Sequence, residues 1–171
     1  MKWNWIKFVF VILLLQGCNY VEVNSEYDTG TNFRSLRTFN VKPMRSNDNR
    51  KVNEFDLERV ENAISSELEA RGYRQASSNA DMSVEAHVVT REKRDLESTT
   101  TYRHGGSTTD YDVLEYTEGS LMIDIRNAQT QKLLWHSVGV GIIDKHAKNK
   151  QERVNNAVAK IFAGFPVPKY E

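Results

Sequence analysis

Alternation between apolar and polar residues constrains the fold of this chain more than any other feature. Residues 82–88 alternate in this way, and residues 121–126 repeat the pattern. Because successive side chains of a strand point to opposite faces, both stretches predict strands with one apolar face. Residues 38–41 and 133–143 predict two further strands, the last in a hairpin with residues 121–126. The sequence therefore predicts a four-stranded sheet with one face to be covered.

Two segments follow the helical period instead. Apolar residues recur at steps of three and four within residues 54–71 and again within residues 150–163. The two apolar stripes consist of Leu57, Val60, Ile64 and Leu68, and of Val154, Ala157, Val158, Ile161 and Phe162. Asn53 is a suitable N-cap for the first helix and Gly72 a suitable end. A capping box that begins at Asn149 is predicted before the second helix.

These elements follow one another in the order βαβββα. The economical way to bury two amphipathic helices is an α+β, two-layer sandwich, with both helices on one face of a mainly antiparallel four-stranded sheet. A chain of 171 residues suits one such domain, which we assign to residues 33–171. The single cysteine excludes an internal disulfide, so the packed core alone must stabilise the fold.

The N-terminal residues have the three parts of a secretory signal peptide. Lys2 and Lys7 form a short basic lead, residues 8–15 are all apolar, and the small residue Gly17 precedes Cys18. A membrane span would need about 20 apolar residues, and this run is shorter. We therefore predict that residues 1–17 are a signal peptide, cleaved between Gly17 and Cys18.

The ending Leu15-Gln16-Gly17-Cys18 resembles the lipobox of bacterial lipoproteins. The resemblance implies that Cys18 becomes the first mature residue and is acylated, with chains such as palmitate, and that membrane lipid is its partner. A diacylated, N-acylated cysteine carries three chains, and stable anchoring takes more than one. Because Asn19 rather than Asp follows, the resemblance implies the outer membrane, facing the periplasm. Residues 18–32 are then a lipidated N-terminus and polar tether.

The ordered set of motifs beyond residue 26 resembles a family of Gram-negative envelope lipoproteins, the domain-of-unknown-function family 4136. The motifs are Tyr27-Asp28, Phe33 with Leu36-Arg37-Thr38-Phe39, Ala63-Ile64 with Leu68 and Arg71-Gly72-Tyr73, Ala80-Asp81 with Val84, Gly119-Ser120-Leu121 with Asp124-Ile125, Leu133-Leu134-Trp135, and Val158 with Ile161 and Phe165-Pro166. The resemblance implies location and fold but no catalytic residues. The topology also resembles LptE-like lipoproteins, which is an analogy of fold alone.

Composition and spacing argue against several classes of function. The 23 basic and 23 acidic residues balance, so we expect no nucleic-acid partner. His87, His104, His136 and His146 show no spacing typical of zinc ligands, so no metal site and no cofactor are predicted. No nucleophile elbow is present, and we expect that the protein is not an enzyme.

The candidate binding residues are aromatic. Tyr102, Tyr111 and Tyr116 punctuate a long polar segment, residues 95–118, which predicts either a solvated hairpin tip or a contact loop. Alternation along the last strand places Trp135 near Met122 on the open face of the sheet, unless twist, a bulge or a loop covers the indole ring.

Three functions remain open at this point. The first is a non-enzymatic envelope lipoprotein that binds a protein or cell-wall partner, and we favour it. The second is a carrier of lipid or another hydrophobic ligand, which would need a sizeable apolar cavity. The third is a hydrolase, which would need a cleft of convergent polar groups.

Overall fold

The computed structural model describes residues 21–48, 50–103, 105–144 and 146–166. The predicted signal peptide, Cys18 and His104 therefore lie outside the described residues. The elements are β1 (Val21–Tyr27), a 3-10 turn (Phe33–Ser35), β2 (Thr38–Val41), β3 (Arg45–Ser46), α1 (Glu54–Ala70), β4 (Arg74–Gln75), β5 (Met82–Arg103), β6 (Gly106–Asn127), β7 (Leu133–Ile142) and α2 (Lys150–Phe162).

The described strands form one seven-stranded sheet in the order β1-β7-β6-β5-β2-β4, with β3 paired to β5. The pairs β1–β7, β7–β6 and β6–β5 are antiparallel, whereas β2 is parallel to β4 and β5, and β3 is parallel to β5. The predicted α+β class is confirmed. The predicted number of strands was wrong, because β1 and the two-residue strands β3 and β4 were not recognised.

Strand β1 replaces part of the predicted tether. Residues 21–27 pair along their whole length with β7, from Val21 opposite Gly141 to Tyr27 opposite Trp135. Residues 21, 23 and 25 are half-buried, while the polar residues Glu22, Asn24 and Glu26 are exposed. This two-residue period was present in the sequence, but the polar composition of residues 19–32 concealed it. Strand β1 thus begins three residues after Cys18.

The ends of α1 follow the predicted signals. Asn53 caps the helix, and its side chain and that of Asp56 exchange hydrogen bonds with each other's backbone amides to form a capping box. At the other end, Gly72 has a φ of 88° and donates its backbone N–H to the Glu69 carbonyl. Tyr73 donates to the Leu68 carbonyl, which completes a Schellman motif.

Helix α2 begins differently from its prediction. Asn149 is the N-cap residue, but its side chain accepts no hydrogen bond from the first helical turn. Its amide contacts the Glu152 carboxylate instead, at 3.1 Å between Nδ2 and Oε2. The predicted capping box is therefore absent, while the predicted end before Gly164 and Pro166 agrees with the helix bounds.

Both helices contribute to one core with the sheet. The fully buried side chains of this core include Ile64 and Leu68 from α1, Val158, Ile161 and Phe162 from α2, and Met82, Val84, Ile123 and Ile125 from the sheet. Arg71 joins the two helices, since its Nη2 donates to the Phe162 carbonyl at 3.0 Å and its guanidinium lies 5.5 Å from the Phe162 ring centroid.

Asp81 fastens the start of β2 to the start of β5. Its Oδ2 accepts hydrogen bonds from the backbone amides of Arg37 and Thr38 at 2.8 and 2.9 Å, and from the Thr38 hydroxyl. These bonds, the one from Arg37 first, lower the pKa of Asp81 below its ordinary value.

We expect Asp81→Ala to reduce the free energy of unfolding by about 1–3 kcal/mol at pH 7, since three donors lose a charged acceptor. Because the pKa of folded Asp81 is lowered, its contribution is complete above the ordinary Asp pKa of about 3.9 and is lost as the pH falls through the folded-state pKa. Urea unfolding at neutral and acidic pH measures this. A difference between the proteins that stays constant into strong acid would contradict the assignment.

Candidate functional site

A two-stranded ribbon projects from the sheet where the sequence predicted a polar loop. Strands β5 and β6 are 22 residues long each and pair from Met82–Asn127 to Arg103–Gly106. The ribbon is the outer part, Lys93–Arg103 with Gly106–Tyr116, where no other described strand pairs with either. At about 3.3 Å per residue it reaches about 35 Å.

Threonine explains why this segment is a strand pair. Thr100 and Thr101 lie opposite Thr109 and Thr108, and the Thr100 and Thr109 hydroxyls hydrogen-bond at 3.1 Å. β-branched residues favour strands, and cross-strand Thr pairs stabilise them. Gly105 supplies the turn with a φ of 109°. The segment is the outer part of an exposed hairpin, as one of the two predictions had it, but it is strand and not loop, because polar composition was taken as evidence against a strand.

One face of the ribbon carries an exposed apolar row. Leu96 lies opposite Val113, Ser98 lies opposite Tyr111, and Tyr102 lies nearer the tip. The side chains of the apolar members are 59–82% exposed, namely Leu96 75%, Val113 59%, Tyr111 71% and Tyr102 82%. Two of the three tyrosines singled out from the sequence therefore share one exposed face.

The third tyrosine lies on the opposite face of the ribbon. Tyr116 donates its hydroxyl to the Asp95 carboxylate at 3.0 Å. This hydrogen bond raises the pKa of Tyr116 above its ordinary value. Arg94 and Glu115 form an ion pair at 2.8 Å on the apolar-row face, near the base of the ribbon. Side-chain pairs thus hold the strands together at this end.

Trp135 does not lie on the open face, and its assignment to a binding surface was wrong. The side chain is fully buried beneath α2, with its ring centroid 5.0 Å from that of Phe162 and 5.2 Å from that of Phe165. Phe33 and Tyr73 complete the cluster by edge contacts with Phe165.

The error lay in the choice of face, since the apolar residues Val138 and Val140 of β7 lie on the open side. A β-bulge lies next to Trp135. Ile125 pairs with Trp135 but Arg126 pairs with Leu133, so Leu134 is an extra residue in β7. The bulge lets Leu134 and Trp135, which are adjacent in sequence, both be buried. Beyond it, Trp135, Ser137 and Gly139 share the helix-facing side.

Trp135→Ala is expected to cost about 3–5 kcal/mol of unfolding free energy, since it empties the centre of the aromatic cluster. Trp135→Phe should cost much less, because the indole N–H has no hydrogen-bond partner in the part of the chain that the structure describes. Thermal or urea unfolding compares the variants. If Trp135→Ala were tolerated as well as Trp135→Phe, the buried placement would be contradicted.

Met122 does lie on the open face of the sheet, half-buried, between His87 of β5 and Val138 of β7. Next to this row, His136 contacts Asp124 at 2.6 Å between Nδ1 and Oδ1. Among the described residues, no Ser, Thr or Cys side chain hydrogen-bonds to His136. The open face thus combines a small apolar centre with a polar pair.

A cleft that sequence reasoning did not find opens between α2 and the sheet, at the end from which the ribbon leaves. Its volume is about 730 Å³ and its lining is mainly aliphatic. The lining includes Val21, Val60, Leu121, Ile143, Val154 and Ala157.

Glycines form the floor of the cleft. Gly119, Gly139 and Gly141 line it, and a Cβ at Gly139 would lie 2.5 Å from the Ile161 side chain. A Cβ at Gly119 would lie 2.6 Å from Ile143. Glycines at alternate positions of a predicted strand were the available signal, because they mark places where other groups approach the strand closely.

Metal-binding clusters and membrane-spanning helices are both absent from the described residues. No group of three or more His, Cys, Asp or Glu side chains among them could hold a metal ion. Within the same residues, no helix has both the length and the apolar character that crossing a membrane requires.

Comparison with known proteins assigns the family. The family model described as "Domain of unknown function (DUF4136)" matches residues 23–167. The chain belongs to this family. Among curated proteins, none matches the chain significantly in sequence.

Solved structures share the fold at low sequence identity. A DUF4136 family protein from Bacteroides thetaiotaomicron has a TM-score of 0.58 and 16% identity, covering 85% of this chain and 95% of that one. A PelC dodecamer from Paraburkholderia phytofirmans has a TM-score of 0.53 and 11% identity, covering 84% and 96%. A PDZ domain protein from Parabacteroides distasonis has a TM-score of 0.57 and 15% identity; the match covers 88% of this chain but 37% of that one.

Proposed function

We propose that this DUF4136 protein is a lipoprotein of the outer membrane, anchored through acylated Cys18 and facing the periplasm, that acts by binding rather than catalysis. The lipobox-like ending at Cys18 supports the anchor. The position of β1 is compatible with it, since this strand begins three residues later. The partner is an envelope protein or a cell-wall component.

The single observation that carries the binding role is the exposed ribbon. Isolated two-stranded ribbons gain little from their own pairing, and exposed apolar rows are uncommon on monomeric proteins. Leu96, Tyr111, Val113 and Tyr102 expose such a row far from the core. An aromatic and aliphatic row of this kind is typical of recognition surfaces.

The short anchor constrains where the ribbon lies. Three residues reach at most about 10 Å, so the end of the sheet that holds Val21 stays close to the lipid headgroups. Val21 of β1 lies opposite Gly141 of β7, and Gly141 lies opposite Gly119 of β6. Gly119 lies opposite Thr90 of β5, close to the start of the ribbon, so the ribbon leaves the sheet at this same end. The ribbon is about 35 Å long, which is more than the distance of about 10 Å that the three residues span between the domain and the headgroups. We therefore place the ribbon along the membrane surface.

The charge of the ribbon favours a protein partner over the lipid surface itself. The ribbon has three basic residues against five acidic ones, namely Lys93, Arg94 and Arg103 against Asp95, Glu97, Asp110, Asp112 and Glu115. Anionic lipid attracts basic segments, not acidic ones. The PelC relative is described as a dodecamer. That assembly supports a second copy of this chain as one candidate partner.

A ligand-carrying function is the second candidate, and the apolar cleft of about 730 Å³ is the observation that favours it. Its size falls within the range of pockets that hold small apolar ligands. The hydrolase interpretation has weaker support, because the pair His136–Asp124 lacks a hydrogen-bonded nucleophile within the described residues.

We expect Tyr111→Ala and Leu96→Ala to weaken partner capture in cells, since each aromatic or aliphatic anchor at an interface contributes about 2 kcal/mol or more. Leu114→Ala is the matched control, because Leu114 is 49% exposed on the opposite face of the same ribbon. Crosslinking followed by mass determination reports the adduct, and twice the mass of the chain identifies a second copy.

Equal capture by all three variants and the wild type would show that the apolar row is not the interface. Circular dichroism of each purified variant checks the fold, which should be unchanged because the three side chains lie outside the core.

Cys18→Ala should release the protein from the membrane or block its processing, because the substitution removes the acylation site. Membrane fractionation and intact mass measure both effects. Wild-type protein that carries no acyl chains by intact mass would overturn the anchor.

A further inference from the structure

We propose that the apolar cleft holds one acyl chain of the protein's own lipidated Cys18. The proposal rests on the lipid anchor of the proposed function and goes beyond it by naming what occupies the cleft. Its consequence is that the acyl chain does more than attach the domain: it fixes one end of the domain against the membrane.

The first argument is reach. Val21 contributes to the cleft lining and lies three residues after Cys18. Three residues in extended conformation span about 10 Å. An acyl chain that fills one leaflet of a bilayer is about 15 Å long, half of the hydrocarbon thickness. The chain therefore has ample length to enter from the edge at Val21.

The second argument is the shape and chemistry of the cleft. Its floor has glycines where the neighbouring core has side chains, and its roof is formed by Val154 and Ala157 of α2. Gly119 of β6 and Gly141 of β7, which lie opposite each other, both contribute to the floor. Such a surface is costly when exposed to water, whereas a saturated hydrocarbon covers it without requiring any polar contact.

The third argument is charge, which distinguishes this occupant from a free lipid. The basic residues lining the cleft are Lys51, Lys150 and Arg153, and each has a carboxylate partner. Lys150 Nζ lies 3.9 Å from the nearer Asp56 oxygen, and Arg153 Nη1 lies 3.8 Å from that of Asp144.

Among the described residues that line the cleft, these pairs leave no cation without a carboxylate partner for a phosphate or free carboxylate headgroup. An acyl chain on Cys18 has no such headgroup, because its carbonyl is in an uncharged amide or ester linkage.

The fourth argument is the number of chains. Stable anchoring takes two, and a diacylated, N-acylated cysteine carries three. One chain can therefore leave the bilayer for the cleft while the others keep the protein attached. Because both environments are apolar, the transfer changes little hydrophobic free energy.

The test uses the acylated protein purified from cells that were fed a photoreactive diazirine fatty acid, and reconstituted in unlabelled liposomes. Irradiation should crosslink the protein's own chains to peptides from α2 or β1 that line the cleft. In the second arm, unlabelled protein is placed in liposomes that contain a diazirine phospholipid. This arm should give no crosslink in the cleft.

Ala157→Trp is expected to reduce the cleft crosslinks about tenfold, because the indole ring would displace about two methylene groups of the acyl chain from the cleft. Ala159→Trp is the matched control, because Ala159 is exposed on the same helix and does not line the cleft. Ala147→Phe at the edge of the cleft is a second filling variant, should Ala157→Trp impair folding.

The outcomes separate this proposal from the proposed function. Crosslinks in the cleft from the phospholipid, with or without crosslinks from the protein's own chains, or crosslinks in neither arm, would overturn the occupant while leaving the anchor intact. Crosslinks unaffected by either filling variant would also overturn it. A protein without acyl chains by intact mass would overturn the anchor itself.

Discussion

The packing of α2 on β7 determines the shape of the whole domain. The side chains of β7 beneath the helix become smaller along the strand, so this packing tapers. Trp135 supports one end of the helix at Phe162, Ser137 follows with its hydroxyl bonded to the Asn24 carbonyl, and Gly139 and Gly141 come last. Side-chain size therefore falls from an indole to a hydrogen. Aromatic rings fill the space under the helix at one end, Ile161 of α2 packs directly over Gly139, and the cleft opens at the glycine end.

The taper gives the two ends of the domain different properties. The aromatic end holds Phe165, Phe33 and Tyr73 around Trp135 and is closed. The glycine end brings together the cleft, the start of β1 and the base of the ribbon. Under the proposed anchor, every exposed apolar feature of this end lies near the membrane, which is where a short-tethered protein can use it.

How far the sequence predicts this fold depends on whether each element has a local signal. Helix α1 was predictable to within a residue, because its stripe, its cap at Asn53 and its end at Gly72 agree with one another. The central strands β5 and β6 were predictable from alternation only where they cover the core. Their outer halves were not, since polar threonines in a ribbon and polar residues in a loop have the same composition.

The candidate site was less predictable, because it depends on register. Trp135 shares the core side of β7 with Ser137 and Gly139, so the more apolar side of this strand is the open one, and alternation alone does not tell which side the helices cover. The cleft depends on glycines from two strands that meet only after β6 and β7 pair. Tyr102 and Tyr111 were correctly placed in an exposed segment, because aromatic residues among threonines and acids have no core to join.

If the domain is anchored as proposed, the end that carries the ribbon lies near the membrane. The orientation of the domain on liposomes tests this directly. Cys18 is the only cysteine and is blocked when acylated, so a dye can be attached at Thr99→Cys on the ribbon or at Gln129→Cys at the opposite end of the sheet. On liposomes with a headgroup quencher, we predict stronger quenching at position 99 than at position 129. Equal quenching, or stronger quenching at position 129, would contradict this orientation.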